Sequence, residues 1–370
     1  MITLTQLLDI DLSYVCEQLK DEFAQMSGKS LLITGGAGFL GYYLVQSILH
    51  YNKSQPSVKR IHVTVYDNYI RGVPAWLTSL NGNKDLTIVK QNMIEPLPAG
   101  IPDFDFIIHA AGIASPFYYR KYPIETMDAN INGLRSLLEY AKKQKANGKN
   151  FEGFLFFSSS EIYGDPLPDK IPTPEDYRGN VSCTGPRACY DESKRYGETL
   201  CVNFAQQYGL PIKVARPFNN YGPGLKITDK RVLPDFARDV IAGRDIVMYS
   251  DGSPTRTFCY IADAVIGYYK ILVKGRNGES YNIGIESPEI SVMTLAEKTV
   301  SFAKELFGYN GKVVRKENPE NNYLTDNPNR RCPAIKKARE HLGYNPTILI
   351  DEGLKRALIW YYYNSTAEDA

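Results

Sequence analysis

The sequence predicts an α/β protein: a Rossmann-type doubly wound parallel sheet with a smaller C-terminal substrate-binding domain. Three observations carry that expectation. Short apolar runs recur along the first half of the chain, LLIT, IHVTVYD, TIVKQN, DFIIHAAG and GFLFFSSS, separated by segments that read as helices. Strands alternating with helices make a parallel sheet. The first run leads straight into a glycine-rich turn and an apolar helix, the order a dinucleotide-binding unit needs. After a further strand at 212–215, proline and glycine density rises at RPFNNYGPG and the alternation becomes irregular, so a second region starts there.

Ahead of the sheet, Leu12, Val15, Cys16, Leu19 and Phe23 recur at helical spacing and predict an amphipathic helix over 11–26, a packing or dimer element. The expected organisation is an N-terminal helical extension (1–27), a dinucleotide-binding domain (28–215) and a region that mainly binds substrate (216–370). Part of that last region, about 257–285, should pack back on the first sheet. Apolar residues make up 43% and charged residues 23%, as in soluble proteins with a large core. Lysine and arginine number 43 against 41 acids, and a net charge of +2 gives no field to attract nucleic acid or membrane. Any anionic ligand must be held by local groups. The six cysteines form no C-x-x-C pair and the four histidines do not cluster, which points to a reduced, metal-free cytoplasmic protein. Asp9, Asp11, Glu17, Asp21 and Glu22 interrupt the first 27 residues and exclude a signal peptide's apolar stretch. No apolar run reaches membrane-spanning length.

The run LLIT enters Gly35-Gly36-Ala37-Gly38-Phe39-Leu40-Gly41, a G-x-x-G-x-x-G turn with glycines at 35, 38 and 41, followed by the helix YYLVQSIL. Glycines allow the tight turn and let backbone N–H groups at a helix start approach a pyrophosphate. The next strand ends at Asp67, whose carboxylate is placed to accept hydrogen bonds from an adenosine ribose. That favours NAD over NADP, whose 2′-phosphate it would repel. The insertion HYNKSQPSVKR explains why the gap to Asp67 exceeds the usual spacing of about 20 residues.

Tyr190 and Lys194 form Tyr-x-x-x-Lys, which on a helix sets phenol and ammonium on one face. A nearby cation lowers a phenol's pKa, so the phenolate can take a hydroxyl proton while hydride leaves to nicotinamide. The pattern gains weight from SSSEIYGD, where Ser158 to Glu161 follow a strand at its carboxyl end, the edge that lines active sites in parallel sheets.

On the stretches ITGGAGFLG, YDNYIRG, ASPFYYRKYPIET, SSSEIYGDP, EDYRGNV, GPRACYDESKRYGET, ARPFNNYGPG, DGSPTRTFCYIAD and RRCPAIKKA, the chain resembles the extended short-chain dehydrogenase/reductases over nearly its whole length after residue 28. Within them it is most similar to the UDP-glucuronate decarboxylases. The resemblance implies that Ser159 and Tyr190 share the bond to sugar O4, that Lys194 also holds the nicotinamide ribose, and that Glu161 sits near C5. It assigns Phe39, Leu40, Asn68, Asn92, Met93 and Ala110 to NAD, and Ser160 and Tyr119 to the sugar. Asn219, Arg231 and Arg256 would bind the nucleotide diphosphate, and Arg331 would help protonate C5 after carbon dioxide leaves. A homodimer paired through helices near 124–146 and 190–209 is implied as well.

Which reaction follows C4 oxidation depends on the groups around C5. The resemblance to 4,6-dehydratases would require an aspartic acid where this chain has Ser160, so a departing C6 hydroxyl would lack its acid. A C6 carboxylate beside a C4 ketone is a β-keto acid, whose decarboxylation needs only enolate stabilisation. Gly224 stands where the decarboxylases have arginine, Arg178 where they have tryptophan and Asn92 where they have aspartate. These departures keep a 4,6-dehydratase, a 4-epimerase, and a nucleotide-binding regulatory protein without catalysis as alternatives.

Overall fold

The apolar runs form strands because β-branched and aromatic residues dominate them, and the inner ones are apolar on both faces because helices cover both sides of the sheet. The computed structural model describes residues 2–317, 325 and 327–368. Strands β1 (Ser30–Thr34), β2 (His62–Asp67), β3 (Leu86–Lys90), β4 (Phe106–His109), β5 (Gly153–Phe157) and β6 (Ile212–Pro217) fall on the six predicted runs. A seventh, β7 (Ser280–Ile283), had no distinct sequence signal and pairs with β6. The order is β7-β6-β5-β4-β1-β2-β3, with every pairing parallel. The order reverses between β1 and β4, so the loops leaving their carboxyl ends open a crevice there.

The N-terminal segment departs from the expected single helix. Helix α1 (Leu4–Gln18) starts seven residues earlier than Asp11 and α2 (Lys20–Met26) follows after a break at Leu19. The early start comes from a capping box: the Thr3 hydroxyl accepts from the Gln6 N–H at 3.2 Å, and Gln6 Oε1 accepts from the Thr3 N–H at 2.9 Å. Both helices are bound into the core through buried acids. Asp11 accepts from the hydroxyls of Tyr43 and Tyr260 at 2.5 Å each and from Arg356. Glu22 pairs with Lys270 at 3.1 Å and Lys274 at 2.7 Å.

Helix α3 (Phe39–Asn52) follows the glycine turn, α4 (Leu134–Ala146) precedes β5, and α5 (Ala188–Tyr208) carries the Tyr-x-x-x-Lys pair. Helix α6 (Ile261–Lys274) is buried along most of its length against β5 and β6. Helix α7 (Ile350–Glu368) packs against α1. In the second region a small sheet sets Thr255–Thr257 between Glu289–Ser291 and Arg330–Arg331. Its register places Arg331 opposite Arg256. Among the described residues no helix is long and apolar enough to cross a membrane.

Candidate active site

The carboxyl edge of the sheet opens into one cavity of about 910 Å³, the size of a ligand pocket rather than a packing void. Its floor at the amino half is the glycine turn. Gly35 has φ +71°, and a Cβ there would lie 2.7 Å from the backbone of Ala111 on the neighbouring loop. At Gly41 a Cβ would meet the Gly36 carbonyl oxygen at 2.1 Å, so this glycine lets helix and turn touch. Gly35, Gly38, Phe39, Leu40, Asp67, Asn68, Asn92, Met93 and Ala110 line the cavity, and Gly41 stands behind it. Asp67 is fixed by the N–H groups of Ala37 at 3.0 Å and Tyr69 at 2.8 Å, one on each oxygen. Burial raises its carboxyl above the ordinary value. A side-chain-free cradle at a helix start, ending on a fixed carboxylate, suits a dinucleotide with an unmodified ribose.

The loop after β5 supplies the reacting end. Ser159 is in extended conformation, and its hydroxyl accepts from the Glu161 N–H at 3.2 Å and hydrogen-bonds Tyr190. Tyr190 is buried and stacks on Tyr119 at 5.0 Å and 11°. Burial pushes its phenol up to about 12, against the pull of Ser159. Lys194 Nζ lies 5.6 Å from the Tyr190 ring and donates to the Phe157 carbonyl at 2.8 Å. Burial brings its ammonium down to about 7. The expected lowering of Tyr190 by this lysine is therefore not met: the ammonium bonds a backbone oxygen, and burial disfavours charge on both groups.

Around Glu161 the charges are dense. Arg187 and Arg331 both bond the same oxygen, Oε2, the latter at 3.1 Å. Arg331 also donates to the Ser160 carbonyl. Despite burial, the arginines hold the Glu161 carboxyl down at about 2. Glu161 and Arg187 line the cavity, whereas Arg331 is fully buried behind Glu161 and outside the lining. Sequence reasoning passed over Arg187. Its signal was present in GPRACYDESK, where it stands four residues before Asp191 and one turn before Tyr190. Asn130 was missed too: it donates to Ser193 at 2.9 Å from a π-helical turn, and its buried Oδ1 has no partner among the described residues.

The remaining assignments meet at the far end. Tyr119, Ser160, Asn219, Arg231 and Arg256 all line the cavity. Arg231 Nε is 2.6 Å from Asp229, which also faces Arg71 at 3.4 Å. Arg256 has no carboxylate within ion-pair distance among the described residues. It donates instead to the carbonyls of Thr255, Asn329 and Pro328, and burial beside Arg331 brings it down to about 10. Asn219 has φ 43° and donates to the Thr257 carbonyl at 3.0 Å. The glycine at 224 now has a reason: φ is +90°, and a Cβ would come within 2.5 Å of Tyr42. Arg178 is exposed and outside the lining, whereas Asn92 lines the cavity.

Comparison with known proteins agrees with this construction. UDP-glucuronic acid decarboxylase 3 of Arabidopsis thaliana is 36% identical over 324 residues, covering 88% of this chain and 86% of that protein. UDP-glucuronic acid decarboxylase 1 of Xenopus tropicalis is 33% identical, covering 90% and 72%. Among solved structures, an epimerase from Methanothermobacter thermautotrophicus superposes with a TM-score of 0.78 at 26% identity, covering 96% and 98%. UDP-glucose 4-epimerase of Thermotoga maritima does so at 0.75 and 25%, covering 91% and 99%. The profile of the NAD dependent epimerase/dehydratase family matches residues 31–284, on the β-strands, glycine turn and Tyr-x-x-x-Lys helix described above. The chain belongs to that family, and NAD is its cofactor.

Proposed function

We propose that the protein converts UDP-glucuronate to UDP-xylose through a 4-keto intermediate. The observation that carries this reading is Glu161 clamped by two arginines on one oxygen beside Ser160. A 4,6-dehydratase needs an acid for the C6 hydroxyl and a base for the C5 proton. Ser160 is a poor acid, and a carboxylate held near a pKa of about 2 is a poor base. Decarboxylation of a β-keto acid needs neither. The relatives named as UDP-glucuronic acid decarboxylases support the same choice.

Residue roles follow from placement. Asp67 and the glycine turn would hold NAD, which when bound would supply a reversible hydride acceptor at C4. Tyr190 takes the O4 proton, and Ser159 orients that oxygen from the other side. Lys194 holds the nicotinamide ribose. Arg231, Arg256 and Asn219 receive the diphosphate. The C5–C6 bond then breaks with its electron pair moving onto O4, carbon dioxide leaves, and C5 is protonated. Arg331 acts through Glu161 and the Ser160 carbonyl, so water ordered in the cavity is the nearer proton source for C5. Residues 28–215 serve the dinucleotide and 216–370 mainly the nucleotide sugar, with 257–285 returning to the sheet. The working form is a homodimer joined through the segments near 124–146 and 190–209, where Ile124 and Tyr196 stand exposed.

The test is to incubate the protein with NAD and a panel of nucleotide sugars and sugar acids and read product masses. Loss of carbon dioxide from UDP-glucuronate is expected, with little net reduced cofactor. Water loss from a nucleotide-linked glucose, or inversion at C4 without mass change, overturns the reading. No turnover of any sugar, with NAD bound, favours a regulatory protein.

A further inference from the structure

Helix α5 begins with a buried charge arrangement that none of the roles above uses. Arg187 sits at the N-terminal boundary of α5, and the N–H groups of Tyr190 and Asp191 both donate to its carbonyl. Its position is thus tied to the first turn that carries the catalytic phenol. The guanidinium reaches in two directions. Nη2 bonds Glu161 Oε2, and Nε faces Asp191 Oδ2 at 3.9 Å. The ring of Tyr119 lies 5.9 Å below Cζ. Nη1 makes no hydrogen bond among the described residues, although the side chain lines the cavity. A guanidinium has five N–H donors, so at least two remain for a ligand.

The charge balance points the same way. Around Glu161 stand three buried or half-buried cations, Arg187, Arg256 and Arg331, set against Glu161 itself, Asp191 beside Arg187, and Asp165, which acts on Arg256 and Arg331. Burial and the Glu161 charge raise Asp191 to about 7, so at neutral pH it is only partly ionised. A guanidinium that lines the reacting end of the cavity with an unused donor edge is suited to an anionic group there.

We propose that Arg187 is a further active-site residue that binds the C6 carboxylate of the sugar through its Nη1 edge, with Asp191 as the positioning residue that holds the guanidinium. This rests on the decarboxylase reading for the identity of the acid. Arg331 lies behind Glu161 and cannot take that role without displacing it. Arg187 shares its charge with Glu161 and Asp191, so it orients the carboxylate more than it stabilises it. Orientation is what the step needs: the C5–C6 bond must stand perpendicular to the C4 carbonyl plane for its electron pair to enter that carbonyl. Glu161, permanently ionised beside the substrate carboxylate, adds a repulsion that departure of neutral carbon dioxide relieves. The pair left on C5 and O4 is quenched by one proton at C5, and return of hydride to C4 would be matched by return of the Tyr190 proton to O4.

The experiment compares binding with turnover in the NAD-loaded protein. Affinities for UDP-glucuronate, UDP-glucose and UDP are measured by calorimetry for the wild type, Arg187→Gln, Arg187→Lys, Asp191→Asn and Arg331→Gln. Arg187→Gln should weaken UDP-glucuronate by at least about tenfold, the scale of one lost charged contact, and leave UDP-glucose and UDP within about twofold. Arg187→Lys should recover part of the preference. Asp191→Asn should lower kcat with KM for the acid changed less, and shift the pH profile of kcat. Arg331→Gln should lower turnover but keep the preference for the acid. If Arg187→Gln keeps that preference, or if all three ligands weaken together, the proposal is overturned. Unchanged UDP affinity certifies that a variant is folded, and Arg187→Lys decides the matter if the glutamine variant does not fold. Carbon dioxide release with an unaltered preference in Arg187→Gln sinks the proposal and spares the decarboxylase reading. Loss of preference in a protein that releases no carbon dioxide does the reverse.

Discussion

Replacing Arg331 by alanine separates the two things this residue does. It is fully buried and donates to the Ser160 carbonyl and to Glu161, so truncation removes one of the two cations on that carboxylate. Breaking a buried ion pair costs about 3–5 kcal/mol, because the remaining partner is left uncompensated. With about 2.1 cal/mol/K of unfolding entropy per residue, 370 residues give about 0.8 kcal/mol/K, so the melting temperature should fall by about 4–6 °C. Turnover should fall further, by about a hundredfold to a thousandfold, the range seen when one preorganised donor is lost from a reacting site. Dinucleotide binding should survive, since the glycine turn and Asp67 lie at the other end of the cavity. The assay is a thermal melt together with product mass and reduced-cofactor absorbance after mixing with UDP-glucuronate. Accumulation of reduced cofactor, with the reaction stalled at or after the ketone, is the expected signature. A melting temperature and turnover both within error of the wild type would refute the reasoning that Arg331 maintains Glu161.

Other consequences are equally direct. Tyr190→Phe should bind substrate and lose turnover by at least about a hundredfold, the scale of a missing general base; unchanged turnover removes Tyr190 from the mechanism. NAD should bind more tightly than NADP, because Asp67 meets a 2′-phosphate with like charge, and equal titration curves would contradict this. Asp191 is raised from its ordinary 3.8 to about 7, so its protonated form stabilises the fold below about 4 and that contribution is lost as pH rises through about 7. Asp191→Asn should therefore flatten the decline in melting temperature between those limits, and an unaltered slope would show that Asp191 does not carry it.

Much of this site was legible because parallel sheets repeat one rule: function gathers where strands end. Six strands were visible as apolar runs, and the residues just past them, Gly35, Asp67, Asn92, Ala110, Ser159 and Asn219, all line the cavity. β7 was missed because SYNI is short and mixed in polarity, and only pairing with β6 makes it a strand. The N-terminal break at Leu19 was hidden because apolar spacing continues across it while the backbone turns. The clamp on Glu161 could not be read as a contact, although its members could be placed at the site. It joins residues separated by 26 and 170 positions, and Arg331 reaches it only through the pairing of Arg330–Arg331 with Thr255–Thr257. A lysine beside a tyrosine suggested a lowered phenol, but the fold buries both and gives the ammonium to Phe157.

Two buried carboxylates show how structural and functional charge differ in this protein. Asp11 has no exposure and receives Tyr43 and Tyr260 on one oxygen and Arg356 on the other. Every direction is satisfied, and its work is to hold α1 against the core. Glu161 is compensated to excess by two arginines, yet both act on Oε2 and the group still faces the cavity. Among the described residues the hydroxyl of Tyr119, which lines the same cavity, has no hydrogen-bond partner. Buried polar groups are ordinarily satisfied, because each one left unmade costs about 1–3 kcal/mol. One at the reacting end of the cavity, beside a carboxylate whose second oxygen makes no hydrogen bond among the described residues, is tolerated because a ligand completes it. The closed acid at the N-terminus and the open one after β5 carry the same charge; what distinguishes the active site is hydrogen-bonding capacity the protein leaves unfilled.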